Sequence, residues 1–259
     1  MQAIKGLDGW RHLKLGSVDS TNTQAMKLGM DGDPGKLWIT ATEQLGGKAR
    51  RGRSWVSKPG NMYASLLLVD VAEPQNISTL PLVVSLALHR AISGFLPEPE
   101  KLRIKWPNDL LFDGKKISGI LLEGATDKSR RLLSVIGCGV NCRHFPDNPI
   151  YPATSFAEEG IDIPPEDLFS ALSIELASAL EQWCGGTRFG PIREAWLKRA
   201  TGLGGVVVAR FPDHEITGEF QDMDAQGRLV IKDADGQIHA IAAADIFFGD
   251  QGLSGHKSV

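Results

Sequence analysis

The stretch from Met62 to Gly137 constrains the fold more than any other part of the chain. It opens with an apolar run, Met62 to Val71, that reads as a buried strand. Ser78 to Leu96 then carries apolar residues at helical spacing through Leu82, Val83, Leu86, Leu88, Ala91, Ile92 and Phe95, and Pro97 ends the pattern. Four short strands follow, at Leu102 to Trp106, Leu110 to Phe112, Ile117 to Glu123 and Leu132 to Gly137, with Asp113-Gly114 as a hairpin turn between two of them. A long helix among strands of this kind places the chain in the α/β (α+β) class.

The flanks extend the pattern. Thr21 to Met30 is helical, with Ala25, Met26 and Leu28 apolar and Ser20 or Thr21 available as a cap; Leu37 to Ala41 is a strand. Gly46 to Lys58 has no apolar periodicity and reads as a loop. A segment punctuated by Pro146, Pro149 and Pro152 leads to a helix over Glu166 to Trp183, entered through Pro164-Pro165, and to another over Pro191 to Lys198. After Gly202 the texture changes to short alternating strands, Val206 to Arg210, Glu215 to Asp222, Leu229 to Lys232 and Ile238 to Ala242, which predict a small β-barrel of about 50 residues. The chain of 259 residues therefore divides into a large unit, 1–202, and a small one, 203–259.

A net charge of −3 excludes a global polycation for nucleic acid. Three cysteines, Cys138, Cys142 and Cys184, have no C-x-x-C spacing, which argues against a disulfide framework or a zinc site and fits a reducing compartment. The N-terminus lacks the apolar run of a signal peptide, and no stretch reaches the roughly 18 apolar residues of a membrane helix. The expectation is a soluble cytoplasmic protein, with no membrane partner.

Three segments carry chemistry. Gln44 to Trp55 places Lys48, Arg50, Arg51 and Arg53 among Gly46, Gly47 and Gly52, with Lys58 just beyond. Glycines let backbone approach a ligand, and cations neutralise phosphate oxygens. Taken alone, the stretch is as readily a solvated basic loop. It is not a Walker loop, because Lys48 is not followed by Ser or Thr and the glycine spacing differs. The second segment, Lys105-Trp-Pro-Asn-Asp109, sets a lysine at a strand end and Asn108 and Asp109 in a turn. Lys116 then opens an apolar strand that Gly119 interrupts and Glu123 ends. In the third, Val135 to Asn141, two glycines at alternate positions bare one face of a strand, as a wall for a flat ligand or for tight sheet packing.

In this order the motifs resemble the biotin–protein ligase family. The match begins at Asp19-Ser-Thr-Asn22 and runs through Arg50-Arg-Gly-Arg-Ser-Trp55 and Lys105-Trp-Pro-Asn-Asp109. It closes with Lys116-Ile-Ser-Gly-Ile-Leu-Leu-Glu123 and Ile136-Gly-Cys-Gly-Val-Asn141. The resemblance covers about residues 16 to 250. It implies a mixed-sheet catalytic domain and an SH3-like C-terminal barrel, with biotin and ATP as substrates, Mg²⁺, and a biotin carboxyl carrier protein as acceptor; a homodimer is compatible with it. By the same resemblance Ser20, Thr21, Asn22 and Gln44 hold the ureido end of biotin. Gly47, Lys48, Gly119, Ile120 and Gly137 line its walls, and Lys116 meets its carboxylate. Arg50, Arg53 and Lys105 hold phosphate, Trp55 packs by the nucleotide, and Asn108 and Asn141 face adenine. Asp109 sits at the family's acidic position, to orient Lys105, help bind Mg²⁺ or contact the incoming amine. The family loop usually reads Gly-Arg-Gly-Arg-x-Gly-Arg, and here it is Gly47-Lys-Ala-Arg-Arg-Gly-Arg53. Lipoate ligases and octanoyltransferases share the fold, but Gln44 and the Lys105 to Asp109 motif favour biotin. Some family members are biotin-responsive repressors with an N-terminal DNA-binding domain. About 18 residues precede the first motif here, so no DNA partner is expected.

Overall fold

The computed structural model describes residues 1–147, 149 and 151–248. The chain begins β1 (Gln2–Ala3), β2 (Arg11–Val18), α1 (Thr21–Met30), β3 (Leu37–Gln44) and β4 (Met62–Val69). It continues through α2 (Leu80–Ser93), β5 (Leu102–Lys105), β6 (Asp109–Phe112), β7 (Lys115–Thr126) and β8 (Leu132–Val140). Then come α3 (Pro165–Trp183), α4 (Phe189–Leu197), β9 (Val206–Arg210), β10 (Glu215–Met223), β11 (Leu229–Lys232), β12 (Ile238–Ile241) and β13 (Asp245–Phe248).

Among the described residues these strands form two sheets. The larger has eight strands in the order β1-β2-β3-β4-β8-β7-β6-β5. It is mixed: β2 and β3 are parallel, as a strand–helix–strand crossover through α1 requires, and the remaining pairs are antiparallel. Asp113 and Gly114 both have positive φ, 47° and 76°, which matches the right-handed twist of the β6–β7 hairpin they close. The smaller sheet is antiparallel, in the order β12-β11-β10-β9-β13. β12 and β13 end it without pairing with each other, so the expected barrel is found as a five-stranded sheet and not as a closed ring of pairings.

The two faces of the large sheet are covered unequally. α1 lies on one face, where Ala25 packs with Leu37, Ile39, Leu67, Leu133 and Val135. α2, α3 and α4 cover the other. α2 is buried nearly all round because it packs against β5 and β7 as well as against α3 and α4. It is shorter than its apolar pattern predicts, since residues Pro74–Thr79 form a 3₁₀ turn before it and Gly94 caps it. The same buried cluster includes Val207, Phe220, Ile231 and Ile246 of the small sheet, so both sheets share one core. Trp106 Nε1 donates to Gly227 O at 3.0 Å across the junction. No described helix is long and apolar enough to cross a membrane.

Three strands, the two-residue β1 together with β2 and β13, have no counterpart in the sequence reading. β2 shows only Leu13 and Leu15 in alternation, both half-buried, and its place is set by a parallel partner more than twenty residues away. β13 is four residues long, and its pairing with β9 likewise depends on distant chain.

One buried group makes the core pH-sensitive. His89 on α2 is 7% exposed, with Nε2 3.0 Å from Leu102 O and Nδ1 3.2 Å from Ser93 Oγ. Burial pushes its pKa from the usual 6.5 down to about 4. Between these values the unfolded chain binds the extra proton, so stability is intact above pH 6.5 and falls as pH drops toward 4. His89→Gln should remove about 2–3 kcal/mol of the loss between pH 7 and pH 4.5, read as the difference between urea-unfolding curves at the two values. Equal losses in the two proteins would mean that His89 is already charged in the folded state.

Candidate active site

Along β8 the side chains facing α1 are Leu133 and Val135, and the next two positions on that face are Gly137 and Gly139. The helix therefore sits on an apolar surface that becomes bare backbone beyond its N-terminus. Gly139 lies directly opposite Gly119 of β7, which widens the bare floor to two strands. A cavity of about 560 Å³ opens over it. Its walls come from the α1 N-terminus, the 48–56 segment, the β5–β6 turn, residues around Tyr151, and Ala244, Asp245 and Ile246 at β13.

One wall is a polar network. Ser20 caps α1, accepting from Thr23 N at 3.5 Å. Gln44 Oε1 accepts from Thr21 N at 2.9 Å and from Thr21 Oγ1 at 3.0 Å, and its Nε2 donates to Ser57 Oγ at 2.9 Å. Ser65 Oγ lies 2.7 Å from Thr21 Oγ1 and 2.6 Å from Asn22 Oδ1, and its single hydrogen serves one of them at a time. Asn22 Nδ2 donates to Glu123 Oε2 at 2.7 Å, and Lys48 Nζ is 3.5 Å from Glu123 Oε1.

The opposite wall is cationic, with Lys105 at the end of β5, Lys116 on β7 and Arg50 on the 47–55 segment. Lys105 Nζ has no carboxylate partner among the described residues. It lies over the rings of Tyr151 and Phe248, at 5.2 and 5.3 Å. Burial lowers its pKa below the usual lysine value, against an opposing pull from Asp109. Arg50 is half-buried and donates to Asn108 Oδ1 at 2.9 Å, with its pKa also lowered by burial. Lys116 Nζ pairs with Asp109 Oδ1 at 2.7 Å, yet that buried oxygen makes no aligned hydrogen bond. A cavity in which two cations have no carboxylate partner among the described residues is built to receive an anion.

Trp55 lies between these walls. A Cβ on Gly139 would stand 2.6 Å from Trp55 Nε1, and one on Gly119 would stand 3.0 Å from its ring, so the indole rests on the paired glycines. Lys116 Nζ is 5.6 Å from the ring centre. Trp55 reaches this floor because residues 47–55 form a small hairpin, with Ala49 N bonded to Arg53 O at 2.7 Å and Trp55 N to Gly47 O at 2.9 Å. The loop expected from Gly46 to Lys58 thus has internal structure and an anchor.

The structure brings nearly all the expected residues to this one cavity, with some in unexpected contacts. Gly47 is not in its lining. A Cβ there would meet Trp55 O at 2.4 Å and Ser57 Oγ at 2.6 Å, so glycine at 47 closes the hairpin. Gly137 faces Asn22 and not open space. Asn108 and Asn141 spend their amide groups on the protein: Asn108 Nδ2 on Ile120 O at 2.5 Å, Asn141 Nδ2 on Thr154 O at 3.0 Å. Asp109 pairs with Lys116 and not with Lys105. Ser57, Tyr151, Phe247 and Asp245 escaped the sequence reading. Only Ser65 left a signal, as a polar residue inside the apolar run of β4. Burial raises the Cys138 thiol to about 12 and Cys142 to about 11, so neither is poised as a nucleophile. Among the described residues no three His, Cys, Asp or Glu side chains are grouped to hold a metal.

A mixed sheet with a glycine floor and unpaired cations, followed by a small antiparallel sheet, is an architecture shared with known proteins. Residues 15–141 match the biotin/lipoate A/B protein ligase family, and residues 203–249 match the biotin protein ligase C terminal domain. A biotin–[acetyl-CoA-carboxylase] ligase of Paracoccus denitrificans is 36% identical, over 91% of this chain and 99% of that one. The bifunctional ligase/repressor BirA of Escherichia coli is 30% identical, over 89% of this chain and 72% of the relative. The Aquifex aeolicus biotin protein ligase in complex with biotin and ATP superposes with a TM-score of 0.79 at 25% identity, covering 92% of this chain and 99% of that one. The chain belongs to the biotin protein ligase family.

The contact between Gly137 and Asn22 gives a direct test. A Cβ at 137 would lie 2.4 Å from Asn22 Oδ1, which Ser65 and Glu123 hold in place. Gly137→Ala should displace Asn22 and leave buried polar groups unpaired, lowering stability by about 1–3 kcal/mol in urea unfolding. Gly124→Ala, whose methyl would meet only Leu133 O at 3.7 Å, is the control and should shift stability by less than about 0.5 kcal/mol. Matching curves for the two variants would show that Asn22 yields without cost.

Proposed function

We propose that this protein activates biotin with ATP to biotinyl-5′-AMP and transfers the biotinyl group to a lysine of a biotin carboxyl carrier protein. The observation that carries this reading is the division of the cavity: a hydrogen-bonding wall at Ser20, Thr21 and Gln44, a flat floor, and the cations Arg50, Lys105 and Lys116 across it. A ureido group needs donors and an acceptor where it is buried, and a carboxylate beside a triphosphate needs cations. We assign residues 1–202 to the catalytic unit and 203–259 to the C-terminal unit.

Adenylation joins two anions. A carboxylate oxygen of biotin attacks the α-phosphorus of ATP, the bond from that phosphorus to the bridging oxygen breaks, and pyrophosphate leaves. Lys116 takes the carboxylate, and Asp109 holds Lys116 in place by the ion pair between them. Arg50, aimed by Asn108, and Lys105 take the phosphate oxygens. Their desolvation makes them stronger anion binders than surface cations. Arg53 supports the same side, and Trp55 covers the floor formed by Gly119 and Ile120. Mg²⁺ would enter with the phosphates, with the Asp109 carboxylate in the cavity to help hold it, and would neutralise phosphate charge. In the second step the acceptor amine attacks the acyl carbon, the acyl–oxygen bond to AMP breaks, and the amine releases a proton. The enzyme forms no covalent intermediate, which agrees with Cys138, the cysteine that lines the cavity, being buried with its thiol held protonated.

Purified protein should catalyse biotin-dependent ATP–pyrophosphate exchange with no acceptor present, and lipoate should not replace biotin. Exchange that appears only when a carrier protein is added would overturn the free-adenylate mechanism. Lys116→Ala should slow single-turnover adenylation at least roughly 30-fold, because losing a buried charge partner costs about 2–5 kcal/mol. The same variant should still pass the biotinyl group from supplied biotinyl-5′-AMP to the carrier. An unchanged adenylation rate would take Lys116 out of the site.

A further inference from the structure

We infer that Asp245, on the C-terminal sheet, is a positioning residue for adenylation: it clasps the tip of the 47–55 hairpin and so aims Arg50 at the phosphate site. This rests on the functional reading above. Asp245 opens β13 and lines the cavity. Its Oδ2 is 2.5 Å from Arg51 Nη1 and its Oδ1 is 3.8 Å from Arg53 Nη2. No other carboxylate pairs with either arginine among the described residues.

The hairpin itself explains why a clasp is needed. Lys48 bridges to Ser54, and the turn between them runs through Arg51 and Gly52, both with positive φ, 57° and 70°. Glycine adopts that conformation freely, whereas arginine is strained in it. The tip also gathers three guanidinium groups, Arg50, Arg51 and Arg53, that repel one another. Asp245 offsets both difficulties by drawing Arg51 and Arg53 outward to β13. Arg50 is left pointing the other way, into the cavity, on Asn108.

The same strand positions the second phosphate-seeking cation. Phe247 and Phe248 of β13 lie 5.9 and 5.3 Å from Lys105 Nζ. β13 is in turn registered on β9, with Asp245 opposite Arg210. One short strand of the small sheet therefore fixes the spacing of Arg50 and Lys105, which come from distant parts of the large one. Asp245 is engaged by Arg51 and Arg53 and acts through them.

The test compares the wild type with Asp245→Asn, Asp245→Glu, Arg51→Ala and the double variant Asp245→Asn/Arg51→Ala. Two readouts are used: limited trypsin cleavage within 48–53 without ligand, and adenylation kinetics as a function of ATP. Asp245→Asn should be cleaved faster and should raise the KM for ATP roughly threefold to tenfold, with kcat and the KM for biotin within about twofold. Asp245→Glu should recover most of both effects. The double variant should be no worse than Asp245→Asn alone, because both remove one link. Unchanged cleavage overturns the proposal, as does faster cleavage with an unchanged KM for ATP, or losses that multiply in the double variant. A global folding defect would raise both KM values and speed cleavage throughout the chain, which also counts against it. If the wild type shows no biotin-dependent exchange, the functional reading fails, while the cleavage comparison still decides whether Asp245 clasps the hairpin.

Discussion

The structure depends on one sheet face that changes character along its length. Under α1 it is Leu133 and Val135; beyond the helix N-terminus it is Gly137 and Gly139, with Gly119 opposite. Removing side chains at those positions takes away packing that a sheet ordinarily needs, and other groups must cover the gap. Asn22 covers Gly137 and Trp55 covers Gly119 and Gly139. Both come from segments that would otherwise have no reason to lie there. The glycine floor therefore draws the α1 N-terminus and the basic hairpin to the same place and creates the cavity between them.

Charge is the second constraint. Lys105 and Arg50 are held in a partly desolvated cavity without carboxylate partners among the described residues, and burial works against the charged form of each. Such groups cost stability in the empty protein. Aromatic faces at Tyr151, Phe247 and Phe248, and the Asn108 amide oxygen, soften that cost without neutralising the charge. A carboxylate in their place would stabilise the empty protein and compete with an incoming phosphate. Among the described residues the carboxylate pairs at this wall engage Lys116, Arg51 and Arg53, leaving Arg50 and Lys105 available.

The small sheet belongs to the site as well as to the core. Its buried side chains join the cluster around α2 and α3, and Trp106, next to Lys105, bonds its turn at Gly227. With the sheet fixed there, Asp245 and Phe248 reach the cavity. The division into two units visible in the texture of the chain does not make them mechanically separate.

The sequence by itself determined the elements whose signal is local. α1 with its Ser20 cap, the β6–β7 turn at Asp113-Gly114, α3 behind Pro165, and strands β9 and β11 could all be read from patterns a few residues long. The motif order also named the residues that gather at the cavity, because a motif carries chemistry in residue types at fixed spacing. Tertiary structure alone decided who touches whom. It set Asp109 on Lys116, gave the Asn108 and Asn141 amides to the backbone, turned Gly47 into the hairpin, and brought Asp245 across from β13. The physical reason is range. A turn or a helix cap is settled by neighbours in the chain, whereas Arg51 and Asp245 are 194 residues apart and meet only because one buried core holds both sheets in place.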